Sequence, residues 1–585
     1  MSQALDPLVP RPLDMYTTVP LEGPLDVLDG AKILAAPDDP ADWPAWRERL
    51  TMWRDEARAR TAYDGSAYDL SALGWTQSCF ACALVWLWDD LLFDHEAGRF
   101  TPDRILDEAE REFGGWDALV LWHAYPVIGI DERNQFDFYR DAPGIRELVR
   151  GIQARGVRVF VDYNPWDTGT RREPVGDADA VARVVRDLGA DGVFLDTMRQ
   201  AVPELIAALP GVALEGESTL PLERIVDHHL SWAQWFADSA VPGVIRARWF
   251  EQRHMLHHTR RWNRSHAGEL RSAWLNGVGM LVWENVFGAW VGWSERDRRT
   301  LRGMTAVQRR HVRLLTHGTW TPLAARSEDA AVVASRWELD GDELWALANL
   351  RDEPFAGRVG ELELELPPGS LAAVSSEGVQ VIGGGSAAYP ARPTKRVEAP
   401  VVRVPEVPAG LVASPPLRPL VARFRVRETG IYGEVPYVEE WKPLPPRLHG
   451  FTEVERPAPR GPFAIGIREV TDASGAPLTG LTLAEARAYA AAAGARLPTE
   501  DEWQLAAEAG LLERAEPLVW NWTESEHRDG RTRFAILKGG SSWKAEGSDW
   551  YVDGGPHDPA FSLQLLLTGP LERSDRIGFR LAADL

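Results

Sequence analysis

Asp191-Gly192-Val193-Phe194-Leu195-Asp196-Thr197-Met198 is a short apolar run ending in a carboxylate, and two neighbouring stretches repeat its form. Upstream, Val159-Phe160-Val161 leads into Asp162-Tyr163-Asn164-Pro165; downstream, Val212-Ala213-Leu214 leads into Glu215-Gly216-Glu217-Ser218. Runs of this length, separated by helical patterns, are the mark of parallel strands joined by crossover helices. Working outward, the same rhythm extends from about residue 75 to 320. Strands are expected at 80–88, 118–123, 157–163, 192–196, 212–215, 232–236 and 279–283, with a further one near 245–250. Helices are expected at 144–155, 178–188 and 264–275. Seven or eight units in roughly 245 residues fit one (β/α)8 TIM-like barrel. A doubly wound open sheet would carry a glycine-rich phosphate turn after its first strand, and none is present.

Outside this region the character changes. Residues 1–74 form a Pro- and Asp-rich extension with one amphipathic helix, 43–61, laid over the barrel. Residues 321–415 show alternating patterns at 330–339, 343–350 and 359–366, which predict a β-sandwich, with Pro390–Pro419 as edge strands or a linker. Residues 416–585 form a separate α+β unit. The fold class is thus multidomain α/β.

The 585-residue chain is 45% hydrophobic and 26% charged, with a net charge of −22. That balance excludes a nucleic-acid partner, which demands clustered Lys and Arg, and adhesion to an anionic membrane surface. Residues 1–16 lack a signal-peptide pattern and no apolar run is long enough to span a bilayer, so the expectation is cytoplasmic. The composition leaves the oligomeric state open. Its outlier is tryptophan, at 26 residues, whose flat apolar faces suit sugar rings.

Barrel chemistry sits at strand C-termini, and a carboxylate after an apolar run is costly unless it has a partner or a task. Glycosidic cleavage needs two carboxyls, about 5–5.5 Å apart for retention of configuration. Asp196 is the candidate nucleophile and Glu217 the candidate acid/base. Glu215, on the same face of its strand but deeper, competes with Glu217. Asp162, His123 and Glu284 are expected to hold the sugar, Asn164 lies beside them, and Trp166 offers a stacking platform. Arg133 stands in a loop rich in donors and acceptors. The substrate class is therefore carbohydrate, with no cofactor and no metal. Cys79 and Cys82 are read as buried structural residues, and His254, His257 and His258 as part of a helix on the barrel wall.

These strand-end motifs resemble the α-amylase-like and α-galactosidase-like clans of retaining glycosidases. The resemblance implies the nucleophilic Asp on the fourth strand, Asp196, and, from the former clan, the acid/base Glu on the fifth. One departure stands out, because the α-amylase pattern has Arg two residues before the nucleophile and here that residue is Phe194.

From Phe463 onward the chain resembles the formylglycine-generating enzyme or sulfatase-modifying-factor family. The carriers are Ile467–Thr471, Leu483–Tyr489, Arg496-Leu497-Pro498-Thr499-Glu500-Asp501-Glu502-Trp503, Val519–Thr523, Leu537–Trp543 and Ile577–Arg580. The resemblance implies a C-type-lectin-like fold. Active members oxidise cysteine with copper held by two cysteines, but both cysteines of this chain lie at 79 and 82. Pro517-Leu518 and Asn521 also replace residues that serve calcium in the family. The module is therefore expected to be non-catalytic, contacting carbohydrate or covering the barrel mouth. Two rivals are a carbohydrate-binding scaffold with no activity, and an oxidoreductase whose C-terminal module uses unconventional ligands such as His527 and His557.

Overall fold

The computed structural model describes residues 15–124, 126, 130–165, 171–234, 238–261, 264–286, 289–390, 392, 394–425, 451–544 and 555–585. Eight parallel strands close into a barrel: β1 Ala81–Trp86, β2 Ala118–Trp122, β3 Arg158–Tyr163, β4 Gly192–Leu195, β5 Ala213–Glu217, β6 Leu230–Gln234, β7 Met255–Thr259 and β8 Gly279–Val282. Each pairs with its sequence neighbour, and β8 closes on β1 through Met280↔Ala81. The strands expected from sequence lie within a few residues of seven of these. The eighth differs: 245–250 is mainly the short helix Arg246–Phe250, and the seventh strand is Met255–Thr259. His257 and His258 therefore lie on a strand rather than a helix.

The pleat explains the close packing around β4. Gly192 pairs with Phe160, and a Cβ at Gly192 would stand 2.2 Å from the Phe160 ring. Replacing Gly192 by Ala is expected to cost about 1–3 kcal/mol of stability through overpacking, read as a lowered denaturant midpoint at unchanged slope.

Crossover helices α2 Pro102–Phe113, α4 Ile145–Ala154, α5 Asp177–Leu188, α6 Ala267–Asn276 and α7 Glu295–Arg310 surround the strands, with the short α3 Gln135–Asp141 in the loop after β2. The N-terminal helix α1, Trp43–Arg60, buries Trp46, Leu50 and Trp53 in the barrel's own hydrophobic core.

Beyond the barrel, a five-stranded antiparallel sheet runs in the order 319–326, 332–339, 342–349, 371–375, 378–382. Val333, Trp337, Leu344 and Ala346 on one face join the barrel core, while Val332, Ala334 and Leu347 lie under the hairpin 355–359/362–366. This is the expected sandwich, with one layer reduced to a hairpin.

The last unit is built on a sheet of 395–396, 520–528, 533–538 and 563–566, with 577–579 alongside 520–522, and on a second sheet of 411–413, 463–466 and 582–584. The Pro-rich stretch thus supplies edge strands to this C-type-lectin-like module. Helices Leu483–Ala492 and Glu500–Glu508 each begin with a Thr/Glu capping box, Thr482 with Glu485 and Thr499 with Glu502. No helix among the described residues is long and apolar enough to cross a membrane.

The module docks at the C-terminal ends of β8, β1 and β2. The Nε atom of buried Arg531 donates to both carboxylate oxygens of Asp89 at 2.8 Å, Arg533 pairs with Asp90 at 2.8 Å, and Ser574 donates to Asp131 at 2.8 Å. Phe534 joins the barrel core beside Trp86, and Ile130 and Phe138 of the barrel join the core of the module.

Candidate active site

Asp196 follows β4, and Glu217 ends β5. The carboxyl of Glu217 is pushed up to about 7, first by burial and next by the negative charge of Asp196; Arg261, the Thr197 backbone amide and Lys32 pull the other way. The two carboxyls therefore sit within electrostatic reach, and Glu217 lies against the residue directly after Asp196. Asn164 Nδ2 donates to Asp196 Oδ2 at 2.9 Å.

Asn164 is itself clamped. Its amide N–H donates to Gln135 Oε1 at 2.9 Å, and Gln135 Nε2 donates to its carbonyl at 2.6 Å. Gln135 opens the short helix α3, which Asn134 caps. The polar loop after β2 thus acts through Gln135, two residues beyond Arg133.

Asp162 is buried, with His123 Nε2 3.9 Å from its Oδ2 and its amide N–H donated to the Tyr139 hydroxyl at 2.9 Å. Burial pushes His123 down to about 3, so the ring is neutral there. It stacks on Phe138 at 5.7 Å. Phe194, two residues before Asp196, stacks on Trp232 at 4.6 Å, giving an apolar floor under the carboxylates.

Three residues immediately after these strand ends adopt left-handed backbone: Ala124 at φ 64°, Thr197 at 62° and Ser218 at 67°. None is glycine, and such strain concentrates where a surrounding structure fixes a functional side chain. They follow His123, Asp196 and Glu217 in turn.

Other expected site residues lie elsewhere. Glu215 is fully buried inside the barrel, its Oε1 2.5 Å from His257 Nδ1, away from the mouth. Glu284 accepts from the Trp293 amide at 3.0 Å and from Arg298 at 3.1 Å. Strand alternation turns Trp283 inward onto Trp122 and Glu284 outward to α7. There it lines a cavity of about 30 Å³ with Asp89, Glu108 and Arg531, too small for a sugar. Arg133 binds Asp131 and the Leu571 and Arg573 carbonyls, so it faces the C-terminal module. Trp166, like residues 235–236 of the expected sixth strand, lies outside the described residues. Tyr139, Lys32 and Arg261 are not among the expected residues, while Gln135 belongs to the expected polar loop 131–135 without a role assigned to it there. A strand-end Asn facing a loop Gln was the available signal for Gln135; nothing local announces Lys32, which arrives from the N-terminal extension.

In the last module, Arg496 forks onto Glu502 at 2.7 Å and also binds Asp584. Asn521 Oδ1 accepts from Trp503 Nε1 and Arg580 Nε, both at 2.8 Å, and Arg580 also reaches Glu469. The conspicuous Arg-Leu-Pro-Thr motif is thereby a scaffold of buried ion pairs. Residues 448–517 match the sulfatase-modifying factor enzyme 1-like domain. Within this sulfatase-modifying-factor-like module, His527 meets Glu500 at 3.3 Å and His557 stacks on Trp520, and neither belongs to a metal-ligand cluster among the described residues. No curated protein matches the chain.

Among solved structures, the chain is similar to a Nostoc punctiforme debranching enzyme soaked with acarbose, at 10% identity over 52% of this chain and 98% of that one, with a TM-score of 0.32. It is also similar to the cyclic alpha-maltosyl-(1→6)-maltose hydrolase from Arthrobacter globiformis, at 13% identity over 51% and 99%, TM-score 0.33. A third is the trehalulose synthase from Pseudomonas mesoacidophila MX-45, at 11% over 53% and 99%, TM-score 0.33. Likeness at these scores bears on neither activity nor substrate.

Proposed function

We propose that the barrel cleaves a glycosidic bond by double displacement, with Asp196 and Glu217 as its two carboxyls. The observation that carries this reading is the placement of Glu217 beside the Thr197 amide, within the field of Asp196, at the open end of adjacent strands. Two carboxyls so placed divide naturally into an ionised and a protonated member. Asp196 attacks the anomeric carbon as the bond to the leaving oxygen breaks, and Glu217 delivers its proton to that oxygen. Water then releases the sugar from Asp196 and returns a proton to Glu217. Asn164 holds Asp196 in line, and Gln135 holds Asn164. Asp162 and neutral His123 form the polar base of the sugar subsite.

The sulfatase-modifying-factor-like module is the non-catalytic part in this proposal. It covers the β8–β1–β2 side of the mouth, leaving the β4–β5 side for substrate.

A panel of α- and β-glycosides tests the reading through hydrolysis by the wild-type chain. Release of sugar from at least one class supports it, whereas tight sugar binding with no turnover on any member favours a scaffold. Glu217→Gln is expected to lower kcat/KM about 10²-fold on substrates with poor leaving groups, and far less on nitrophenyl glycosides, whose leaving group needs no proton. Equal loss on both kinds of substrate would reject Glu217 as the acid.

A further inference from the structure

Deeper in the barrel, three side chains from three strands converge on one point. Cys82 of β1, Glu215 of β5 and His257 of β7 each offer a ligand atom, and these atoms all lie within 4.8 Å of one another. Among the described residues this is the one such group, and all three members are buried.

Their hydrogen bonding is incomplete. His257 Nε2 lies 2.6 Å from the Cys79 carbonyl oxygen, and Nδ1 faces Glu215 Oε1. The second carboxylate oxygen, Glu215 Oε2, is buried with no hydrogen-bond partner. A carboxylate oxygen left so in an apolar interior is costly. A plain Glu–His pair leaves that oxygen unsatisfied and gives Cys82 no part.

A divalent cation satisfies all three. The thiolate of Cys82 and the carboxylate of Glu215 carry two negative charges, which one such ion balances inside the barrel. With Nδ1 on the ion, Nε2–H donates to the Cys79 carbonyl, the outer contact that commonly orients a metal-ligating histidine. Sulfur, imidazole nitrogen and carboxylate oxygen together suit zinc, while magnesium and calcium prefer oxygen alone. Packing leaves room for the ring only because residue 279 is glycine, since a Cβ there would stand 2.8 Å from His257 Cδ2.

We propose that Cys82, Glu215 and His257 bind one zinc ion inside the barrel, tying β1, β5 and β7 together beneath the carboxylate pair. The three residues leave one of zinc's four positions to a non-protein ligand, and because all three are buried the ion is loaded as the chain folds.

The test is the zinc content of the full chain, purified without chelator from zinc-replete cells. One zinc per chain is expected in the wild type and in Cys79→Ser, because Cys79 supplies only its backbone carbonyl. Cys82→Ser and His257→Gln are expected to lose it. A folded wild-type chain free of zinc overturns the proposal, as does full zinc in folded Cys82→Ser and His257→Gln. Should those variants fail to fold, the wild-type chain produced with cobalt decides. A thiolate-to-cobalt charge-transfer band in the near ultraviolet supports the site, and a cobalt-free or band-free folded chain overturns it.

Discussion

Asp196→Asn is expected to abolish glycoside turnover, with a fall on the order of 10⁴-fold or more, the scale seen when a nucleophile is removed. The amide keeps the shape of the carboxylate and can still meet Asn164 Nδ2 through its oxygen, now 2.9 Å from Asp196 Oδ2. What it loses is the negative charge that attacks the anomeric carbon and faces Glu217. Kinetics on a nitrophenyl glycoside check this, because leaving-group assistance is unimportant there and Asp196 acts alone. Added azide or formate is expected to restore some turnover by attacking in place of the missing carboxylate, with product of opposite anomeric configuration. Full activity in a folded Asp196→Asn chain would remove Asp196 from the reaction.

Arg531→Ala is expected to cost about 3–5 kcal/mol, the usual result of removing one partner from a buried ion pair. Arg531 is buried, is held by Asp89, and lies over the Trp290 ring at 5.0 Å. Its removal leaves Asp89 charged and buried, with Glu108 and Glu284 nearby. The loss falls on the contact between barrel and module, so thermal unfolding should split into two transitions. Asp89→Asn/Arg531→Gln, which removes both charges while keeping hydrogen-bonding groups, should recover part of the loss. A single unshifted transition in Arg531→Ala would show that docking does not depend on this pair.

Much of the barrel was legible because its strands are apolar runs of the right length, and the acids at their ends mark the open face. The positions of Asp162, Asp196 and Glu217 at strand ends could be read in that way. The seventh strand was not, because Met255-Leu256-His257-His258-Thr259 carries two histidines where an apolar core is expected, and its meaning depends on Glu215 and Cys82 from strands far along the chain. Glu284 was misplaced by one step of strand alternation, since the sequence does not say which parity faces inward at a strand's end. Arg133 could not be read locally at all, because its carbonyl partners Leu571 and Arg573 lie 438 and 440 residues away. In the last module, the Arg496–Trp503 motif announced its fold, while its role as an ion-pair scaffold needed Asp584 and Asn521 in place.

The pairing of Asp89 with Arg531 spans 442 residues, and this separation sets a schedule for synthesis. At ribosomal rates of about 5–20 residues per second, Asp89 emerges roughly 20–90 s before its partner. Barrel closure awaits β8 at Gly279–Val282, and even then Asp89 and Asp90 lack their partners until residues 531–533 arrive.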